Sequence, residues 1–286
     1  MLGPSALRTE TSNGVREIVL CRPDSYNTIT PTLRDDLEAA VDEAGSDPSV
    51  RVILLRAEGP AFCAGYDLGW AVGGQLSERE EDLAWDAVKD KAQIGSFVKV
   101  FLKLWSTCKP TIAAIQGWCI AGGTDMALCA DIIIAADDAK FGYPPARVWG
   151  TPTTGMWVYR LGIQQAKRYL FTGDEIAAEE AVRIGLALEV VPNAELCEHA
   201  RSFAQRMAQL PLNQLVIMKA LCNQPAEAMG LAASVRLGTL FDGIARHSRE
   251  GLDFVTRAGE AGFRQAVRER DDPFGDYGSR RSPSGS

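Results

Sequence analysis

Two short apolar runs, separated by a turn of small residues, form the clearest pattern in this chain. Thr111–Ile115 has the length and composition of a buried strand, and Ile132–Ala136 is a second run of the same kind. Between them, Gly122 and Gly123 lead into a stretch of small, mostly apolar residues. The pattern predicts a strand, a tight turn, a helix and a second strand, with the glycines where the helix begins.

The predicted turn has the composition of a site for a negatively charged oxygen. The first N–H groups of a helix have no intrahelical partner, and glycine lets a ligand approach them closely. Another apolar run, residues 50–57, predicts a second strand, with Ala64 and Gly65 beyond it. Amides from two strand ends can stabilise charge on one oxygen, and Asp125 lies one turn into the predicted helix, three residues after Gly122. Small residues at strand ends also form ordinary turns, so this interpretation needs a second line of evidence.

Helical spacing recurs in other parts of the chain. Thr30 and Pro31 predict a helix start, because a capping hydroxyl precedes proline at the first helical position. Residues 69–77 are glycine-rich and predict a loop, and a long helix is predicted from Ser77 to about Lys109. Repeated strand–turn–helix units predict an α/β fold.

Composition and charge narrow the class of protein. Of 286 residues, 46% are hydrophobic and 23% are charged, as in soluble globular proteins. The net charge of −7 argues against a nucleic-acid partner. Seven cysteines without a CxxC spacing predict reduced thiols, and two histidines argue against a histidine-based metal site. Without a long apolar run or a secretory signal, we expect a cytoplasmic protein with no membrane partner.

Several motifs match the pattern of one known family. They are RPDSYNTIT at 22–30, AFCAGYDL at 61–68, IQGWCIAGGTDMALCADIIIAADDAKFGYP at 115–144, LFTGDEIAAEEAVRIGLALEVVP at 170–192 and LFDGIARHSREGLDFV at 240–255. In these segments the chain resembles the crotonase superfamily, the enoyl-CoA hydratase/isomerase fold. The resemblance implies a crotonase-like ββα spiral with a C-terminal helical oligomerisation subdomain.

The resemblance also implies a ligand and an assembly. The substrate would be an acyl-CoA thioester, with coenzyme A as part of the substrate, no separate cofactor and no metal. The thioester oxygen would be held by the backbone amides of Ala64 and Gly122. Helices of the C-terminal subdomain build trimers or hexamers in this family, so a homotrimer or hexamer is expected.

The chain divides into four predicted segments. Residues 1–12 are expected to be a flexible N-terminus, and residues 13–193 the spiral core. Residues 194–262 are the helical subdomain. Residues 263–286 are polar and rich in glycine, serine and proline, and are predicted to be largely disordered.

The acid–base positions depart from the family pattern. A typical hydratase has two glutamates that hold a water and add it across a double bond. Here the first position is Asp125 and the second is Pro145, which cannot carry a proton. Asp125 is therefore the expected main acid/base, and Tyr143 and Tyr66 are candidates to replace the missing group. The replacement of the second glutamate by Pro145 argues against ordinary two-glutamate hydration.

Three functions remain open at this point. The first is a hydratase-like or isomerase-like enzyme, because an isomerase can move a proton with one carboxylate. The second is another crotonase chemistry, such as decarboxylation or carbon–carbon cleavage of an acyl-CoA. The third is a non-catalytic acyl-CoA-binding paralogue.

The resemblance also indicates which residues contact the substrate. Arg257 and Phe241 occupy positions near the adenosine end of CoA, although Arg257 can equally be a solvated helix charge. Either Trp85 or Trp105 can line the acyl pocket, with packing in the core as the alternative for each. The remaining expected contacts are Tyr26, Ala61, Phe62, Tyr66, Asp67, Leu68, Gly123, Tyr143, Pro144, Pro145 and Trp149.

Overall fold

The computed structural model describes residues 6–71, 73 and 84–277, which form two β-sheets packed against helices. The strands, in chain order, are β1 (Leu7–Ser12), β2 (Val15–Leu20), β3 (Val52–Ala57), β4 (Ala61–Cys63), β5 (Thr111–Ile115), β6 (Trp118–Ile120), β7 (Ile132–Ala136), β8 (Lys140–Gly142), β9 (Ile176–Ala177) and β10 (Glu189–Val191).

The larger sheet has the strand order β1-β2-β3-β5-β7-β10. Its strands run parallel, except that β1 is antiparallel to β2. Every residue of β2 and β5 is buried, as expected for a sheet covered on both faces. The predicted strands 111–115 and 132–136 pair directly, with Ile112 opposite Ile132.

The smaller sheet positions the turn that the sequence analysis singled out. Its order is β4-β6-β8-β9, and β4, β6 and β8 are parallel. Strand β6 lies between β5 and the glycine turn, where the sequence pattern had indicated no strand. Because β4 and β6 are parallel neighbours, the segments that follow them leave the sheet at the same end of the strands.

The helices surround both sheets and continue to residue 271. In chain order they are α1 (Pro31–Ser46), α2 (Ala87–Ser106), α3 (Gly122–Ala127), α4 (Met156–Thr172), α5 (Ala178–Arg183), α6 (Asn193–Met207), α7 (Leu212–Ala228), α8 (Leu231–Arg246), α9 (Arg249–Ala261) and α10 (Phe263–Asp271). Among the residues that the structure describes, no helix combines the length and apolar character needed to cross a bilayer.

Side-chain caps explain where two of the long helices begin. The predicted start of α1 is confirmed, since the Thr30 hydroxyl accepts the Leu33 N–H at 3.2 Å and Pro31 is the first helical residue. Helix α2 begins after Asp86, whose Oδ1 accepts the N–H groups of Val88 and Lys89 at 3.0 Å each. The earlier start predicted at residue 77 lies outside the described residues.

Three predictions about irregular segments need correction. Residues 7–12 form β1 against β2, so this part of the N-terminus is not a flexible arm. The predicted loop at 69–77 contains helical residues at 69–71 and 73, because Asp67 Oδ1 accepts the Trp70 N–H at 3.1 Å and starts a helical turn. Residues 263–277 are structured, and residues 278–286 lie outside the described part.

Candidate active site

A cavity of about 760 Å³ lies where β4, β6 and α3 meet α2 and α8. This volume is in the range of small-molecule binding sites. The aromatic residues of its wall are Tyr66, Trp70, Trp85, Tyr143 and Trp149. Its charged residues are Asp86, Lys89, Asp90, Asp242, Arg246 and Arg270.

The turn between β6 and α3 presents one backbone donor to this cavity. Ala121 has a left-handed φ of 53°, and its N–H donates to the Gly142 carbonyl at 3.0 Å. The next N–H group, that of Gly122, has no hydrogen-bond partner among the described residues. It is the first donor of a helix, a group that helix geometry leaves unpaired. Gly122 lines the cavity, so this donor is available to a ligand.

Tyr66 provides a second unpaired amide beside the first. Ile29 bridges to Tyr66 by donating to the Gly65 carbonyl at 2.9 Å and accepting the Asp67 N–H at 3.0 Å. The Tyr66 N–H therefore points away from this bridge, and it has no partner in the described part of the chain. A Cβ added to Gly65 would lie 3.5 Å from the Gly122 nitrogen. The two free donors are thus neighbours.

The structure corrects the expected role of Ala64. Its N–H donates to the Tyr26 carbonyl at 3.0 Å and is not free. Ala64 still lines the cavity, but a ligand could use its amide only by breaking this bond. The unpaired amide of this segment lies two residues later, at Tyr66, so the free pair at the cavity is Tyr66 and Gly122.

Asp125 is fully buried and is not part of the cavity wall. Its carboxylate accepts the Thr153 N–H at 3.2 Å, the Thr153 hydroxyl at 3.0 Å and the Thr154 hydroxyl at 3.2 Å. Burial raises the pKa of Asp125 to about 7, against the lowering effect of these hydrogen bonds. Near neutral pH both the protonated and the ionised form of this carboxyl group are therefore populated.

Comparison with known proteins identifies the family. The sequence profile described as Enoyl-CoA hydratase/isomerase matches residues 10–260. The chain belongs to the enoyl-CoA hydratase/isomerase family. It is 34% identical to the (E)-benzylidenesuccinyl-CoA hydratase of Thauera aromatica, over 70% of this chain and 75% of that protein. It is 33% identical to the carnitinyl-CoA dehydratase of Proteus mirabilis, over 71% of this chain and 74% of that one.

A solved structure confirms the predicted fold. The crystal structure of an enoyl-CoA hydratase from Mycobacterium smegmatis superposes with a TM-score of 0.90, at 45% identity over 96% of each chain. The α/β crotonase-like fold with a helical C-terminal region, predicted from the motifs, is therefore confirmed. Members of this family act on acyl-CoA thioesters, and the cavity of this chain presents two unpaired backbone donors.

Several of the residues predicted from the sequence to contact substrate do line the cavity. Tyr143 does so, but its hydroxyl donates to the Thr151 carbonyl at 2.7 Å. Burial raises the pKa of Tyr143 well above its usual range, which disfavours it as an ionising group. The other expected residues that line the cavity are Tyr66, Leu68, Pro144, Pro145 and Trp149, together with Trp85 from the pair considered above.

Other expected contacts lie away from the cavity in the single chain. The Arg257 guanidinium makes a bidentate pair with Glu269 at 2.8 and 2.7 Å, and Phe241 is half exposed. Trp105 donates its indole N–H to Glu227 at 3.3 Å instead of lining the pocket. The remaining residues outside the wall are Tyr26, Ala61, Phe62, Asp67 and Gly123.

One charged group of the cavity was missed by the sequence analysis. Asp242 and Arg246 lie one turn apart on α8, and the Arg246 Nε donates to Asp242 Oδ2 at 2.9 Å. Arg246 Nη2 also donates to both oxygens of Asp90 on α2, at 2.8 Å each. The i, i+4 spacing of the first pair is visible in the sequence, but it is common on exposed helices and does not by itself indicate a site.

Proposed function

We propose that this protein is an enoyl-CoA hydratase-like or isomerase-like enzyme that stabilises a thioester enolate with the amides of Gly122 and Tyr66. The observation that carries the proposal is the pair of adjacent, unpaired N–H groups at the cavity. Donors fixed in this way lower the energy of an oxygen that gains negative charge during the reaction. No separate cofactor is required for this step, because the chain's own amides hold the oxygen.

Asp125 remains the proposed main acid/base in this mechanism. A pKa of about 7 suits proton transfer at neutral pH, because both protonation states are then populated. The carboxylate is held by Thr153 and Thr154, so it reaches a substrate only when that turn releases one oxygen. We expect substrate binding to supply this small movement, since catalytic hydrogen bonds often tighten only in the complex.

The aromatic residues of the cavity wall favour a bulky, aromatic acyl group. Trp70, Trp85 and Trp149 all contribute to the wall, and aromatic rings pack favourably against other aromatic rings. The relative from Thauera aromatica is named for a benzylidene-substituted acyl-CoA, which supports this class of substrate. We therefore propose an aryl-substituted enoyl-CoA in preference to a short aliphatic one.

A second candidate function is supported by the enclosure of Asp125. Decarboxylation or carbon–carbon cleavage of an acyl-CoA depends chiefly on enolate stabilisation and less on a second exposed acid. Pro145 in the cavity wall agrees with this alternative, because it cannot transfer a proton. A non-catalytic acyl-CoA-binding paralogue would bind the same thioesters without turnover.

The amide pair can be tested through Gly122. A Cβ at this position would lie 2.8 Å from Tyr66 Cε2, so a valine would push Tyr66 away and disturb the pairing of the two amides. We expect Gly122→Val to lose at least about 100-fold in turnover of cinnamoyl-CoA, crotonyl-CoA or a β,γ-enoyl-CoA. Gly95→Ala is the matched control, because its Cβ would meet only Thr239 Cγ2 at 4.0 Å. Equal activity of the two variants would refute the amide pair.

The assembly and location belong to the same proposal. We propose a cytoplasmic homotrimer or hexamer that takes part in acyl-CoA metabolism, without nucleic-acid or membrane partners. The apolar residues exposed on α7 and α8 support association between copies of the chain.

A further inference from the structure

Pro145 occupies the position of the family's second acid and has no carboxylate. The carboxylate of Asp242 lies beside this position. The position of Gly150, which lies next to both residues, shows that they are close. A Cβ added to Gly150 would lie 2.8 Å from Pro145 Cβ and 3.7 Å from Asp242 Oδ1. The proline ring and the carboxylate therefore flank the same point of the backbone, and both residues line the cavity.

The two oxygens of Asp242 have different surroundings. Oδ2 accepts a 2.9 Å hydrogen bond from Arg246 Nε. Oδ1 accepts only a long 3.4 Å contact from the Thr151 N–H among the described residues. Arg246 thus fixes one side of the carboxylate, and the lone pairs of Oδ1 are left for a ligand in the cavity.

Tyr66 provides a second, independent indication of a ligand at this point. Its hydroxyl is buried and has no hydrogen-bond partner in the described part of the chain. Tyr66 and Asp242 both line the cavity, and the negative charges of Asp125 and Asp242 add to the effect of burial in raising the pKa of Tyr66. A buried hydroxyl without a partner is costly, and a bound water or polar substrate group would satisfy it.

We infer that Asp242 is the second acid/base of this enzyme, supplied by α8 in place of the residue lost at Pro145, and that it activates a water held with the Tyr66 hydroxyl. This inference rests on the proposed enolate chemistry at Gly122 and Tyr66. It restores a two-carboxylate reaction in a member of the family that lacks the second glutamate.

The hydration step balances with the two carboxylates. Asp242 takes a proton from water, the oxygen bonds to Cβ of the enoyl thioester, and the π electrons move onto the thioester oxygen held by the amides. Protonated Asp125 then delivers its proton to Cα as the carbonyl re-forms. Asp242 releases its proton to solvent and Asp125 regains one, so the net change is addition of one water.

The surroundings of Asp242 assign the two carboxylates different roles. Burial raises the pKa of Asp242, and the adjacent Arg246 opposes this shift and favours the ionised base. The charge of Asp90 raises it further. Other titratable groups that face the cavity are Lys89, Asp86, Tyr143, Tyr66, His247 and Arg270. A pair of carboxyl groups with different environments can act as acid and base at one pH.

The direct test compares Asp242→Asn with Asp242→Glu. The asparagine keeps the shape and can still accept from Arg246, but it cannot take a proton, so we expect kcat for cinnamoyl-CoA hydration to fall about 100- to 10,000-fold. The glutamate returns a carboxylate and should recover part of the activity. Asp253→Asn, on the exposed side of α9, is the matched control and should keep wild-type kcat.

The pH profile separates catalysis from a structural role. If Asp242 is the base, the pKa that governs the acid limb of the pH profile of kcat/KM should lie above the usual range for an aspartate. Asp90→Asn removes a charge that raises the pKa of Asp242, so it should move this limb to lower pH. A purely structural ion pair would change the melting temperature and leave the position of the limb unchanged, which would overturn the inference.

A binding measurement keeps this inference distinct from the proposed function. A bound 4-dimethylaminocinnamoyl-CoA should show a red-shifted absorbance, because the amides polarise its conjugated carbonyl. Asp242→Asn should keep both this shift and the ligand affinity, whereas Gly122→Val should lose the shift. If the wild type shows the red shift and Asp242→Asn keeps wild-type turnover, only the role of Asp242 is overturned. The same conclusion holds if the wild type shows the red shift but hydrates no substrate. Absence of the shift in the wild type would overturn the amide pair, and with it the inference.

Discussion

The absence of a side chain at Gly122 determines the geometry of the site. Besides the close approach to Tyr66, a Cβ there would lie 3.0 Å from Ile29 Cδ1. At the next position, a Cβ on Gly123 would lie 2.3 Å from the Cys63 carbonyl oxygen. Gly122 therefore lets Tyr66 and Ile29 pack closely against the start of α3, and Gly123 lets α3 pack directly on β4.

Asp125 gives a prediction about stability as a function of pH. Its pKa is about 7 in the folded protein and near 4 in an unfolded chain. The folded state holds this proton more tightly, so the associated stability is present below about pH 4 and is lost as the pH rises through about 7. We expect the unfolding free energy to fall on this account by on the order of 4 kcal/mol between these limits.

Urea unfolding across this pH range, compared between wild type and Asp125→Asn, measures that contribution. The asparagine cannot titrate, so the difference between the two curves should slope between pH 4 and 7. The same variant should lose turnover while retaining ligand binding if Asp125 is an acid/base. A flat difference curve would show that Asp125 does not titrate with a raised pKa, and an active variant would remove it from the mechanism.

At the scale of elements, Arg147 anchors the segment after α9. Its guanidinium is buried and pairs with Asp271 at 2.9 Å and with Asp276 at 2.8 and 2.7 Å. The same group lies 3.9 Å from the centre of the Phe274 ring. These contacts explain why residues 263–277 are structured despite a polar composition that resembles a disordered tail.

Replacing Arg147 should release this segment. Arg147→Met leaves the Asp276 carboxylate without its guanidinium partner, whereas Asp271 keeps Arg270 at 2.8 and 2.7 Å. Breaking a buried ion pair by removing one partner typically costs about 3–5 kcal/mol. We expect a lower melting temperature and faster proteolysis between residues 262 and 277, which limited digestion and mass spectrometry can locate. Arg168→Met is the matched control, because the Arg168–Asp174 pair is largely exposed and should contribute at most about 1 kcal/mol. Equal effects in the two variants would contradict an anchoring role.

Local patterns predicted the elements well and the cavity only in part. The Thr30 cap and the strand at 111–115 depend on residues close in sequence. Both follow from local residue types, a hydroxyl before proline in the first case and a short apolar run in the second. The Asp90–Arg246 contact joins α2 to α8 across most of the chain, so no local pattern indicates it. The Ala64 amide was misassigned because the Tyr26 carbonyl that occupies it comes from another segment. Contacts of this kind depend on tertiary packing.

Helices α9 and α10 carry a prediction about CoA. Arg257 is the expected contact for the adenosine end, and Glu269 now pairs with it. We expect Arg257→Ala to weaken CoA binding, most strongly at low salt, where charge attraction is least screened. Glu269→Gln should strengthen binding because it frees the guanidinium. Calorimetry at several salt concentrations, with Arg249→Ala as the control, tests this, and unchanged affinity throughout would make Arg257 a surface charge only.

At the scale of the whole molecule, the C-terminal helices expose several large apolar side chains. Ile217 and Leu221 on α7 are 58% and 65% exposed, and Leu237 and Phe241 on α8 are 51% and 50% exposed. Patches of this kind on a globular protein commonly mark a surface that associates with another chain. The site residues Asp242 and Arg246 lie on the same helix α8, so association would also hold the cavity wall in place.

We therefore expect a homotrimer or hexamer in solution, with α7 and α8 at the interface. Light scattering at micromolar concentration should give three or six times the chain mass of 30.9 kDa. Leu221→Glu combined with Leu237→Glu should shift the protein toward monomer, because a charged side chain in an apolar interface lacks a partner. Leu188→Glu, at an exposed site before β10, should keep the assembly. A wild-type monomer would refute the prediction, and dissociation by Leu188→Glu alone would place the interface elsewhere. If the assembly does hold the wall, the double variant should also lose activity at dilutions where it is monomeric, and recover it as concentration rises.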